Sequence, residues 1–166
     1  MRVVGLGATL HLPRRLQHDV IVDTPAGTLA NRGCALRVRD DGGSAFLTYK
    51  GPVEPGLLKV REELETAAAS AERLLAIVAA LGYQPVFRYE KYREEHALPG
   101  VLIAIDETPV GTFLEIEGEA EAIHDCARRL GFSPADYVTA SYRALYIAAA
   151  GDRAASGDMT FAAFGA

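Results

Sequence analysis

The sequence predicts an α+β fold in which antiparallel strands predominate and amphipathic helices flank them. Three observations carry this. Short runs of alternating character recur between glycine- and proline-rich breaks, at 34–39, 45–50, 86–95, 101–106 and 112–117. Asp40-Asp41-Gly42-Gly43 joins two of these runs as a hairpin turn. Two other segments, 69–81 and 120–130, read as helices and each stops at a glycine. A chain of 166 residues, 49% of them hydrophobic, has the material for one domain with a real core.

The elements follow in order. Val3 to Leu6 reads as the end of a helix, stopped by Gly7. Residues 8–22 read as a strand pair, followed by the turn Asp23-Thr24-Pro25-Ala26-Gly27. The strands 34–39 and 45–50 enclose the hairpin turn, and Gly51-Pro52 opens a loop to Gly56. Alternation resumes from Leu58 to Glu65. Ser70 can cap a helix whose Leu74, Leu75, Ile77, Val78 and Leu81 share helical spacing. Ser133-Pro134 opens a short stretch, and 141–149 reads as a helix. The tail from Gly151 is rich in Ala, Gly and Ser without periodicity, so the expected division is a domain over 1–150 and a flexible tail over 151–166.

Composition narrows the function classes. A net charge of -5 argues against a protein that coats a nucleic-acid polymer, while leaving room for a local basic pocket. Cys34 and Cys126 are far apart and form no Cys/His cluster, so both are expected as reduced, buried thiols. No apolar run reaches the length of a membrane span, and MRVVGLGATLHLPRR lacks a signal-peptide pattern. The expected location is the cytoplasm, with no membrane partner.

The strands are unusual in their charged faces. Side chains alternate sides along a strand. Arg37 and Arg39 therefore share a face, as do Thr48 and Lys50, then Lys59, Arg61 and Glu63, then Lys91, Arg93 and Glu95. Asp106 ends one such set, and Glu115 and Glu117 form another. The opposite faces carry Leu36, Val38, Leu47, Ile103, Ile105, Leu114 and Ile116, which the helices can cover. A curved sheet enclosing so many charges needs compensating ions. An anion with a divalent metal supplies both signs. Arg forks and Lys ammoniums suit phosphate oxygens, and paired carboxylates suit a hard cation such as Mg2+ or Mn2+. There is no P-loop, glycine-rich fingerprint or Ser/His/Asp arrangement. His11, His18, His96 and His124 show no ligand spacing.

The order of these motifs resembles the CYTH (triphosphate tunnel) family. The resemblance rests on Asp23-Thr24-Pro25 with Arg37-Val38-Arg39, on Leu47-Thr48-Tyr49-Lys50-Gly51-Pro52, and on Arg61-Glu62-Glu63-Leu64-Glu65. It continues through Lys91-Tyr92-Arg93, Asp106-Glu107-Thr108-Pro109-Val110-Gly111-Thr112-Phe113-Leu114-Glu115-Ile116-Glu117-Gly118, and Ser141-Tyr142 with Leu145. It implies an antiparallel β-barrel-like tunnel with a charged interior and flanking helices. It also implies Mg2+ or Mn2+, a small-molecule triphosphate, and the activities of thiamine triphosphatases, inorganic triphosphatases or class IV adenylate cyclases. By that resemblance Arg37, Arg39, Lys50, Lys91 and Arg93 bind phosphates, Arg61 and Glu63 line the tunnel, and Asp106, Glu115 and Glu117 serve the metal. Glu62 and Glu65 are expected at the solvated surface, and Glu107 is expected to face away from Asp106. The family's opening E-x-E-x-K strand has no counterpart before Gly5, so the expected domain is N-terminally incomplete. The expected reaction is metal-dependent triphosphate hydrolysis. Cyclic AMP synthesis from ATP and non-catalytic triphosphate binding are the alternatives. The general base and the oligomeric state stay open, a homodimer being one possibility.

Overall fold

Most strands pair with a neighbour in sequence, which short turns between them permit. The computed structural model describes residues 2–151 and 157–164, excepting the side chains of Arg2 and Val4. The strands are β1 (Thr9–Asp23), β2 (Ala35–Asp40), β3 (Ala45–Lys50), β4 (Glu63–Ala68), β5 (Gln84–Leu98), β6 (Val101–Thr108) and β7 (Gly111–Gly118). They form one antiparallel sheet in the order β4-β3-β2-β1-β5-β6-β7. The helices are α1 (Arg2–Gly5), α2 (Ala71–Ala80), α3 (Ala120–Leu130), α4 (Tyr142–Ala150) and α5 (Phe161–Phe164). This is the α+β architecture expected. The sheet is not closed, because β4 and β7 are its two ends and do not pair. Side chains from all seven strands nevertheless line one cavity, so the sheet curls around a tunnel-like interior.

Two expected elements differ from those found. The pair expected over 8–22 is the single fifteen-residue strand β1. β5 pairs with β1 along its length, from Thr9 to Asp23, while β2 pairs with it from His18 to Val22. Around Pro13 the ladder to β5 is irregular, with register shifts between Leu10 and Arg15, and there a proline without an N–H is tolerated. The strand expected over 58–65 is displaced to 63–68. Its only ladder partner, β3, ends at Lys50, so residues before Glu63 have no strand to pair with. Gly51 N–H still donates to Glu62 C=O at 2.8 Å, and Glu54 N–H to Val60 C=O at 2.8 Å.

The outer face carries the apolar core. Val38, Ala45 and Leu74 cluster where α2 covers β2 and β3. Val3, Val101, Ile103, Cys126 and Leu130 cluster where α1 and α3 cover the β6 end. Each fully buried aliphatic side chain here contributes about 1.5–3 kcal/mol. Ser70 caps α2 by accepting from Arg73 N–H at 3.2 Å, and Gly131 ends α3 in the left-handed region that favours glycine (φ 92°).

A third cluster joins Phe87, Tyr89, Tyr146 and Met159, bringing α4 against one end of the tunnel face of β5. Part of the expected loose tail takes part in it. Met159 is fully buried, and it exchanges backbone hydrogen bonds with Arg88 and Glu90 at 2.9 Å each. That half of β5 lies beyond the reach of β6, whose pairing begins at Tyr92, so the tail meets otherwise open backbone groups. Residues 152–156 and 165–166 of the expected tail lie outside the described residues.

Candidate functional site

Antiparallel register brings the charges together. Side chains on one face of paired strands form rows, with opposite Cβ atoms about 4.5–5.5 Å apart. Asp19 lies opposite Arg39 on β2 and Tyr89 on β5. Arg37 lies opposite Ile21 and Thr48, and Thr48 faces Glu65. Lys50 faces Glu63. Arg93 lies opposite Arg15 on one side and Asp106 on the other. Ala104 lies between Glu95 and Glu115. These rows face a cavity of about 980 Å3, into which Tyr142 of α4 also projects.

Two carboxylates anchor the interior, and both are fully buried. Asp19 accepts from Arg39 Nε at 2.9 Å and Nη2 at 3.2 Å, with Arg37 Nε at 3.4 Å. Asp106 accepts from Lys91 Nζ at 2.7 Å, Arg93 Nε at 2.7 Å and Nη2 at 2.6 Å, and the Tyr142 hydroxyl at 2.5 Å. Arg93 also donates to Glu115. Neither aspartate reaches the cavity lining; both stand behind the cations and hold them toward it. Nearer the open edge the paired carboxylates are more exposed. Lys50 Nζ donates to both oxygens of Glu63 at 2.7 Å, and Arg61 Nε donates to the same carboxylate at 3.1 Å. Arg37 Nη2 meets Glu65 at 3.3 Å, and Thr48 donates to Glu65 at 2.6 Å.

The electrostatics follow from burial and these partners. Burial pushes Lys50 down to about 8, with Arg37 acting in the same sense and Glu63 opposing. Burial likewise brings Lys91 down to about 8, against the pull of Glu115. Arg39 rises further, because Asp19 outweighs the burial that would lower it. Burial would raise Glu115, yet Lys91 and Arg93 hold it well below the usual carboxylate range. Glu117 moves the other way, raised by desolvation in the tunnel wall and by Glu115. Burial beside Glu115 and Asp106 keeps the Tyr142 phenol protonated.

The structure therefore brings Arg37, Arg39, Lys50, Lys91 and Arg93 to one cavity, with Arg61 and Glu63 at its rim. Glu107 faces outward to Arg14 at 2.8 Å. Glu65 is exposed, as expected, but it also lines the cavity and bridges Arg37 and Thr48. Asp19, Arg15, Gln17 and Tyr142 were not among the expected site residues. The signal for the first three was the same two-residue alternation, obscured because 8–22 was read as a strand pair and not as one strand.

The three carboxylates expected at the metal have different surroundings. Among the described residues no group of three or more His, Cys, Asp or Glu side chains is placed to hold a metal by itself. The oxygens of Asp106 accept from Lys91, Arg93 and Tyr142. Glu115 and Glu117 remain on one face of β7, and Glu117 has no ion-pair partner among the described residues. Two carboxylates suit a magnesium-like ion only when phosphate oxygens and water complete its shell.

Comparison with known proteins fits this geometry. The CYTH domain family model matches residues 3–142. The chain belongs to the CYTH family. That family is one of metal-dependent triphosphate tunnel proteins. A Methanocaldococcus jannaschii protein, named provisionally as an adenylate cyclase, is 30% identical over 115 residues, or 69% of this chain. The match spans 66% of that relative's length, just under two thirds. A solved structure from Pyrococcus horikoshii OT3 superposes with a TM-score of 0.74 at 26% identity, covering 87% of this chain and 90% of that one. A Hippeastrum protein, named an adenylyl cyclase and described as revealing a dominant triphosphatase activity, shares the fold. Its TM-score is 0.65 at 20% identity, with 84% of each chain covered. Among the described residues no helix is long and apolar enough to cross a membrane.

Proposed function

We propose that the tunnel binds the triphosphate chain of a small molecule in the cytoplasm and hydrolyses its terminal phosphoryl group. The observation that carries this is the convergence of Arg37, Arg39, Lys50, Lys91 and Arg93 on one cavity from three different strands. Several fixed cations at one place match a linear polyanion better than a single phosphate. Phosphoryl transfer demands mainly positioning and charge stabilisation, which such a wall supplies.

In this reading Arg37, Arg39 and Arg93 fork onto phosphate oxygens, and Lys50 and Lys91 add point charges. Asp19 and Asp106 hold the guanidinium groups in place before substrate arrives. Tyr142 holds Asp106 from the α4 side. Glu115 and Glu117 are the residues that would hold Mg2+ or Mn2+ together with substrate oxygens. Bound there, the cation would offset charge on the phosphoryl group being transferred.

A second reading, cyclisation of ATP to cyclic AMP with release of pyrophosphate, is favoured by the name of the Methanocaldococcus relative. One experiment separates them. Protein is incubated with Mg2+ or Mn2+ and tripolyphosphate, thiamine triphosphate or ATP, and products are resolved. Release of inorganic phosphate supports hydrolysis; cyclic AMP with pyrophosphate supports the cyclase. Binding without turnover of any of the three sinks both and leaves a binding module.

A further inference from the structure

The tunnel's cations are paired with carboxylates of the same chain, and the pairs fall into two kinds. Asp19 and Asp106 have side chains 0% exposed, lie behind the cavity wall, and sit on strands paired on both sides. Glu63 and Glu65 have side chains 43% and 46% exposed and line the cavity. They stand on β4, an end strand whose only partner among the described residues is β3. Lys50, Arg61 and Arg37, whose donors they occupy, all line the cavity. We infer that Glu63 and Glu65 are displaceable internal counter-anions, which pair with these three cations and yield them to phosphate oxygens on binding. This rests on the triphosphate reading above and deepens it, because it assigns part of the tunnel's selectivity to a built-in competitor.

The physical asymmetry is one of desolvation. A carboxylate and a phosphate offer the same Arg and Lys donors similar acceptor oxygens. An exposed glutamate that loses its partner returns to water at small cost, since such pairs contribute little. A buried aspartate that loses its partners is left as an uncompensated charge, which is far more costly. The incoming anion therefore exchanges with Glu63 and Glu65 and leaves Asp19 and Asp106 in place. Competition of this kind discriminates by charge. A triphosphate can replace both carboxylates at once, whereas a monophosphate replaces one and leaves the other competing.

Calorimetric titration with tripolyphosphate, in chelator and low salt, tests this on the wild type and on Glu63→Gln, Glu65→Gln and Glu117→Gln. Removing an exposed competing pair should tighten binding by about two- to fivefold in each of the first two variants. Glu117→Gln removes the same charge from the same tunnel but frees no cation, so it should change affinity less. Unchanged or weaker binding in Glu63→Gln and Glu65→Gln overturns the inference. Equal tightening in Glu117→Gln also overturns it, because net charge alone would then explain the effect. If neither the wild type nor any variant binds, the triphosphate reading itself fails and takes the inference with it. A second measurement is independent of substitution. The Glu63 carboxyl, held low by Lys50 against its burial, should titrate higher by NMR once tripolyphosphate is bound. A Glu63 that stays low in the saturated complex overturns the inference.

Discussion

Raising the pH should weaken triphosphate binding through Lys50 well before an ordinary lysine would titrate. Burial beside Arg37 lowers this ammonium to about 8 from its usual 10.5. The sign follows directly: the free protein loses the proton as pH rises through about 8, and a neutral amine cannot hold a phosphate oxygen as an ion. Such a lysine is about nine-tenths charged at about pH 7 and about one-tenth charged at about pH 9. If only the ammonium form binds, affinity through Lys50 falls about tenfold across that interval. Lys91, also lowered to about 8, adds to the fall in the wild type. The assay is tripolyphosphate affinity against pH for the wild type and Lys50→Arg. Arginine keeps its charge throughout, and both proteins share the ligand's own titration and that of Lys91. The ratio of the two affinities should therefore change about tenfold between about pH 7 and about pH 9. A ratio that stays constant refutes the reasoning.

Other perturbations probe the buried network and the tail. Arg39→Met leaves Asp19 with only Arg37 nearby, and should destabilise the fold by about 3 kcal/mol or more in urea unfolding. Tyr142→Phe removes the hydroxyl 2.5 Å from Asp106 and should cost about 1.5–3 kcal/mol in the same assay, the range for a hydrogen bond to a charged group. Met159→Ala opens a cavity beside Phe87, Tyr89 and Tyr146, and should cost about 2–5 kcal/mol if residues 157–164 are docked in solution; no measurable loss would contradict that docking. Glu117→Gln should mainly reduce the response of phosphate release to Mg2+ or Mn2+, and an unchanged metal dependence would remove Glu117 as a ligand.

Several elements were legible because their signals are local. The strand over 45–50 and the helix over 120–130 were read with their observed bounds, since a turn or a terminal glycine marks each end. Elements whose limits depend on distant partners were not. The start of β4 is set by where β3 stops, and the continuity of β1 through Pro13 depends on an irregular ladder to β5, far along the chain. The site shows the same division. Alternation marked Arg37 with Arg39, and Lys91 with Arg93, as sharing a face of their strand, but the partners of Asp106 were not legible because they come from β5 and α4.

What the sequence determined by itself is the family and the charged character of one sheet face, because a period of two needs no knowledge of neighbours. Only the tertiary structure decided which cation meets which carboxylate. Pairing is set by register between strands as distant as β1 and β5, and by α4 folding back over the cavity. That register placed Asp19 beside Arg39 and Asp106 beside Lys91 and Arg93 in the interior, and left Glu63 and Glu65 on the end strand. The same residue chemistry thereby became fixed support in one place and an exchangeable partner in the other, because desolvation differs between them.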